Sequence, residues 1–195
     1  KGNYRLLLKS NKAEALKDLV AEIKKETPAA DIEGMACPRE AGWEADVIIP
    51  AVPFEAQAEV AERIREVANQ KIVVSLANPL NATYTGMVTP GDTSAAEELQ
   101  KLLPHAKVIK AFNTTFAADF ASPVINGQQV DAFIAGNDKN ALETVSELVH
   151  TAGFNPIVSG DLTASRMLES MQLHLIQLSM KYNYNWLAGY KILHN

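Results

Sequence analysis

The chain has 195 residues, 47% of them hydrophobic and 21% charged, with a net charge of −5. That balance suits one compact domain with a sizeable core, and it offers no basic field for nucleic acid or an anionic membrane surface. A single cysteine, Cys37, excludes an internal disulfide and a cysteine-built zinc site, and no apolar run is long enough to span a bilayer. The start carries no signal-peptide pattern and the composition suits a reducing compartment, so a cytoplasmic location is expected.

Residues 4–9 (YRLLLK) read as a strand, followed by a helix to about Glu26 with Leu16, Leu19, Val20 and Ile23 on one face. Thr27-Pro28 ends that helix. Residues 31–35 read as a strand and 38–45 as a short helix or loop. The next segments carry the clearest pattern. Residues 46–52 are an apolar strand ended by Pro53, 54–69 a helix with Val60, Ile64 and Val67 inside, and 71–77 a β-branched strand ended by Asn78-Pro79. Such a strand–helix–strand unit is right-handed and parallel, and its continuous apolar strands mean that both sheet faces are covered.

Residues 80–94 form a long Gly/Pro/Thr loop, either lying over a ligand or mobile at the surface. A helix over 95–103 stops at Pro104. Strands follow over 107–112, which ends in Asn113-Thr114, and over 130–135. Residues 139–151 are a helix with Leu142, Val145, Leu148 and Val149 inside, and 154–158 a last short strand. A long helix runs from Asp161 to about Asn183, with Leu168, Met171, Leu175, Leu178 and Tyr182 as its apolar stripe, before an aromatic tail of Tyr184, Trp186 and Tyr190. The alternation predicts a doubly wound α/β fold. No sharp boundary divides the chain. Residues 1–160 read as the sheet domain and 161–195 as a C-terminal helix packed on it or on a dimer partner.

In such sheets ligands bind at the carboxyl ends of the strands. After the first strand stand Ser10, Asn11 and Lys12, with no carboxylate before Glu14. A hydroxyl, an amide and an ammonium suit a phosphorylated ribose, where an acid would select the unphosphorylated one. The same residues also suit an ordinary helix start, with Ser10 or Asn11 as N-cap. The tips Ala51-Val52-Pro53 and Ala77-Asn78-Pro79, with Phe112-Asn113-Thr114 at a third strand, read as a shared rim, Asn78 and Asn113 offering amide hydrogen bonds. His105, His150, His174 and His194 are scattered, and no nucleophile–base or metal-ligand spacing occurs. Arg166 and Glu169, three apart on the long helix, are expected to pair.

The segments SNKAEAL, AVPFEA, VVSLANPL, KAFNT and GDLTASRMLESM, in that order and spacing, resemble the NADP oxidoreductases that use the deazaflavin coenzyme F-420. Dinucleotide-binding domains of ferric-reductase type are related. The resemblance covers nearly the whole chain. It implies a Rossmann-type fold, NADP as cofactor, coenzyme F-420 or a flavin as hydride partner, and a homodimer. The family's Ser-Arg pair on the ribose phosphate reads Ser10-Asn11 here, with Lys12 beside it. Its proline-ended strand tip corresponds to Ala51, Val52 and Pro53, the next tip to Ala77, Asn78 and Pro79, and the following segment to Phe112, Asn113 and Thr114. These residues are implied to border the nicotinamide and the second cofactor.

One departure is large. The family begins with a strand, a GxGxxG-type loop and a helix, and this chain opens with what resembles the second strand. In the order 3-2-1-4-5-6 the missing strand is central, so the strands at 4–9 and 46–52 are expected to lack their common neighbour, and an N-terminal segment is expected to be absent from this chain. Hydride transfer between two rings needs contact and exclusion of water rather than a side-chain nucleophile, so no catalytic residue is singled out. Two rival readings stand beside it. One is a nucleotide-binding or regulatory module without turnover, including a degenerate, truncated Rossmann protein. The other is an imine or β-hydroxyacid reductase, whose proton donor on the long helix would have to be Lys181.

Overall fold

The computed structural model describes residues 2–194. The chain runs β1 (Leu6–Leu8), α1 (Ala13–Glu26), β2 (Ile32–Gly34), α2 (Pro38–Glu44), β3 (Val47–Ile48), α3 (Phe54–Ile64), β4 (Ile72–Ser75), α4 (Ala95–Leu102) and β5 (Lys107–Lys110). A hairpin of β6 (Val124–Ile125) and β7 (Gln128–Gln129) follows, then β8 (Asp131–Gly136), α5 (Lys139–Ala152), β9 (Asn155–Gly160) and α6 (Ser165–Tyr182). Among the described residues no helix is long and apolar enough to cross a membrane.

The main sheet has the order β3-β4-β5-β8-β9, and β1 pairs with β2 in a separate parallel two-stranded sheet. The expected β3–α3–β4 unit is present and parallel, with Val47 opposite Ile72. Successive side chains of β4 and β5 point to opposite faces. Val73 and Val108 therefore join Ile64, Leu99 and Leu103 beneath α3 and α4, while Val74 and Ile109 join Ile134, Val145, Val149 and Phe154 beneath α5. Both faces are covered, which makes this a doubly wound α/β sheet with a long C-terminal helix.

No ladder joins β1 to β3. Each pairs on one side only. Arg5, just before β1, reaches Glu33 of the neighbouring β2 at 2.9 Å and Glu44 at the end of α2, just before β3, at 2.8 Å. These exposed pairs contribute little. α1 buries none of its residues completely, and Leu19 of its expected apolar face stays 45% exposed.

Three features depart from the sequence reading. β8 runs antiparallel to β5, because residues 111–130 hold a 3-10 turn (Ala117–Phe120) and the β6–β7 hairpin instead of the crossover helix that a parallel return needs. The hairpin had a signal in Asn126-Gly127, both of positive φ, the residue pair of a tight primed turn. The buried face of α6 is Ser165, Leu168, Glu169, Gln172, Leu175, Ile176 and Ser179, whereas Met171 and Leu178 are half-buried and Tyr182 is exposed. The buried face lies about a quarter-turn from the expected apolar stripe, and one of its polar residues, Glu169, is held there by Lys110 of β5 and by the first N–H groups of α4.

Candidate functional site

The tip of β1 opens into a groove of about 670 Å³ between α1 and the end of β2. Lys9, Ser10, Asn11, Lys17 and Lys24 supply its polar lining, Leu16, Val20 and Met35 its apolar side, and no carboxylate takes part. Lys12 lies outside this lining. It occupies the N-cap position of α1, and no side chain caps that helix. The alternative reading of Ser10 or Asn11 as N-cap does not hold: Ser10 Oγ accepts from the Lys12 backbone N–H at 3.2 Å, and Asn11 is exposed. The uncapped first turn leaves amide N–H groups next to a hydroxyl, an amide and ammonium groups, a donor set that fits a phosphate.

At the β3 tip Ala51 and Pro53 are exposed and Val52 half-buried. Pro53, with φ −57°, is the N-cap residue of α3, where its fixed φ suits the turn into the helix. At the β4 tip Ala77 and Pro79 are buried and Asn78 half-buried. The tips of β4 and β5 are brought together. Asn78 Nδ2 donates to the Asn113 carbonyl at 3.1 Å, and Asn113 Nδ2 donates to Asn78 Oδ1 at 2.9 Å and to the Leu168 carbonyl at 3.0 Å. Asn113 and Thr114 are 2% and 0% exposed. Phe112 turns the chain in the left-handed region, φ 58°, and its ring packs against Phe120 and Phe154 at 5.5 and 6.3 Å between centroids. Phe112 therefore serves the rim through its backbone, while its ring anchors the turn from below.

The loop over 80–94 is folded. Leu80 bridges to Met87, Asn81 Oδ1 accepts from the Thr85 N–H at 2.9 Å, and Gln177 of α6 donates to the Tyr84 carbonyl at 3.0 Å. Sequence reasoning missed the group beneath it. Lys110 at the end of β5 and Glu169 of α6 form a fully buried ion pair at 2.6 Å. Burial pulls the Lys110 ammonium below its ordinary range, against the attraction of Glu169. Arg166 does not pair with Glu169 as expected. It takes Glu97 of α4 in a two-pronged bridge of 2.9 and 2.5 Å, and that hydrogen bonding holds the Glu97 carboxyl below its usual range. A lysine inside the apolar run KVIKAF was the signal that a buried partner existed. Lys181, the one lysine of α6, stands exposed in its last turn with its ammonium 5.0 Å from the Tyr182 ring, away from the buried face.

Residues 2–79 match the family model described as NADP oxidoreductase, coenzyme F-420-dependent. An F-420-dependent NADP reductase of Methanocaldococcus jannaschii is 33% identical over 192 residues, covering 92% of this chain and 84% of that protein. The metalloreductase STEAP3 of Rattus norvegicus is 33% identical over 132 residues, covering 67% of this chain and 26% of its own length. Among solved structures, a protein of Arthrobacter sp. FB24, provisionally assigned as an F-420-dependent NADP-reductase, superposes with a TM-score of 0.79 at 22% identity, covering 98% of this chain and 100% of that one. At that identity the last likeness speaks to the fold.

Proposed function

The chain belongs to the coenzyme F-420-dependent NADP oxidoreductase family, and on that premise we propose that it is an NADP-dependent oxidoreductase moving hydride between NADP(H) and a deazaflavin or flavin-like acceptor. The observation that carries the proposal is the groove after β1, rich in lysine and free of carboxylate, where the donor set suits a phosphorylated ribose. Ser10, Asn11 and Lys12 bind that phosphate. Ala51, Val52 and Pro53 lie against the dinucleotide, and Ala77, Asn78 and Pro79 with Phe112, Asn113 and Thr114 border the reacting rings. The cofactor pair supplies the hydride chemistry. The chain's own part is to bind, to orient and to exclude water, which needs no acid or base at the rim.

Titration with NADPH and with NADH, followed by nicotinamide fluorescence, tests the first half. Micromolar NADPH binding with much weaker NADH binding supports it, and binding of neither overturns it. Reduction of F-420 or a flavin by NADPH tests the second half. The second reading is a nucleotide-binding module without turnover, which would use the same groove after β1. Tight NADPH binding without transfer to any acceptor would select it.

We include a homodimer in the proposal. The outer side of α6 and the tail expose Met167, Met180, Tyr182, Trp186 and Leu193, an apolar stretch suited to a second copy. Sedimentation of a single monomeric species at tens of micromolar would remove the dimer.

A further inference from the structure

Lys110 and Glu169 are joined at 2.6 Å with side chains 0% and 1% exposed, and the pair does more than neutralise itself. Lys110 Nζ also donates to the Ala77 carbonyl, the last residue before Asn78-Pro79. Glu169 accepts from the Ala95 N–H at 3.0 Å and from the Ala96 N–H at 3.4 Å, the first residues of α4. Ala77 precedes the loop over 80–94 and Ala95 follows it. One ion pair therefore grips both feet of that loop, one foot through each partner. Neighbouring bonds repeat the arrangement: Gln57 Nε2 donates to the Ala95 carbonyl at 2.9 Å, and Asn113 Nδ2 ties the Asn78 side chain to the carbonyl of Leu168, the residue before Glu169.

A buried ion pair is a poor source of stability, since desolvation cancels much of its attraction and an apolar pair of like volume often does as well. What it provides that an apolar pair cannot is direction. The ammonium aims at one carbonyl, and the carboxylate takes two N–H groups that α4 would otherwise leave unpaired in a dry interior. We propose that Lys110 and Glu169 are positioning residues which hold the Ala77–Asn78–Pro79 tip and the loop above it at the height that hydride transfer requires. The proposal rests on the hydride-transfer reading of this rim.

The test is the double variant K110M/E169M, which keeps side-chain volume and removes both charges together, with E169Q as a second variant that keeps a hydrogen-bonding group. Amide exchange over 80–96 is read first, because it needs no turnover. Exchange there is expected to speed up about tenfold, with β8 and β9 unchanged. Steady-state kinetics with NADPH come second. The kcat is expected to fall by up to about 10²-fold while KM for NADPH stays within about twofold, and the isotope effect with 4-deuterated NADPH is expected to rise. A folded variant with wild-type exchange over 80–96 overturns the clamp. A loosened loop with unchanged kcat and isotope effect overturns its role in transfer. If K110M/E169M does not fold, E169Q is judged by the same two criteria. A wild-type protein that binds NADPH but transfers no hydride sinks the functional reading alone, and the exchange measurement still decides the clamp.

Discussion

Asn113 and Asn78 hold each other across the ends of β5 and β4, each donating one amide hydrogen bond to the other residue. Asn113 spends its second amide proton on the Leu168 carbonyl of α6 and is 2% exposed, whereas Asn78 is half-buried and keeps one amide proton out of this exchange. The two are therefore not equivalent: Asn113 ties rim to helix, and Asn78 is the one with an amide hydrogen to offer outward.

Replacing Asn113 by Leu removes two amide hydrogen bonds, one to Asn78 Oδ1 and one to the Leu168 carbonyl, and the expected loss is about 1–3 kcal/mol. N78A removes a half-buried side chain and should cost less. Urea denaturation of both variants checks the order. A larger loss for N78A than for N113L would contradict the inequality.

The groove after β1 makes a specificity prediction. A carboxylate at position 10 would repel a ribose phosphate and leave an unphosphorylated ribose unharmed. S10D is expected to weaken NADPH binding by about tenfold or more, worth about 1.4 kcal/mol, with NADH changed little. Fluorescence titration gives both constants. Wild-type NADPH affinity should also drop as salt is raised, since Lys9, Lys17 and Lys24 border the groove.

Acid sensitivity should pass through Glu97. Its carboxyl is held below the ordinary value of 4.5, first by the hydrogen bonds from Arg166. A depressed folded value means that the unfolded chain takes up the proton first as pH falls. The stabilisation is thus complete above about pH 4.5 and disappears as pH drops through the folded value. E97Q should be less stable than wild type at pH 7 and lose less between pH 5 and pH 3. Glu98 and Asp131 are shifted the same way, so part of the acid loss remains in E97Q. Urea midpoints at the two ends of that range give the comparison.

Gly153 closes α5 at φ 106°, and a Cβ there would stand 2.8 Å from the Pro123 ring. The left-handed conformation costs an L-residue about 1–2 kcal/mol, and the contact adds to it. G153A should lower the thermal midpoint without altering NADPH affinity, because the site lies off the rim.

Some of this was legible because neighbours in sequence decided it. VIIPAV, KIVVSLA and KVIKAF are apolar runs, and each holds a strand of the main sheet: β4 and β5 stop at Ser75 and Lys110, ahead of Asn78-Pro79 and of the turn at Phe112, whereas β3 is only Val47–Ile48 and stops before Pro50 instead of reaching to Pro53 as expected. The tips were legible for the same reason, since a proline or a left-handed residue stops a ladder wherever the strand is placed.

Sequence by itself determined the α/β alternation, the strand tips and the chemistry available at each, because periodicity, prolines and local donors act over a few residues. Tertiary structure alone decided which tips meet and what they rest on. Lys110 finds Glu169 across 59 residues, and Arg166 finds Glu97 across 69, where helical spacing had offered Glu169. β8 turned antiparallel because of what its connection lacks, not because of anything in β8. Burial is the physical reason. In a dry interior a charge takes whichever partner the packed layers bring within reach, and that choice is made only when the chain closes.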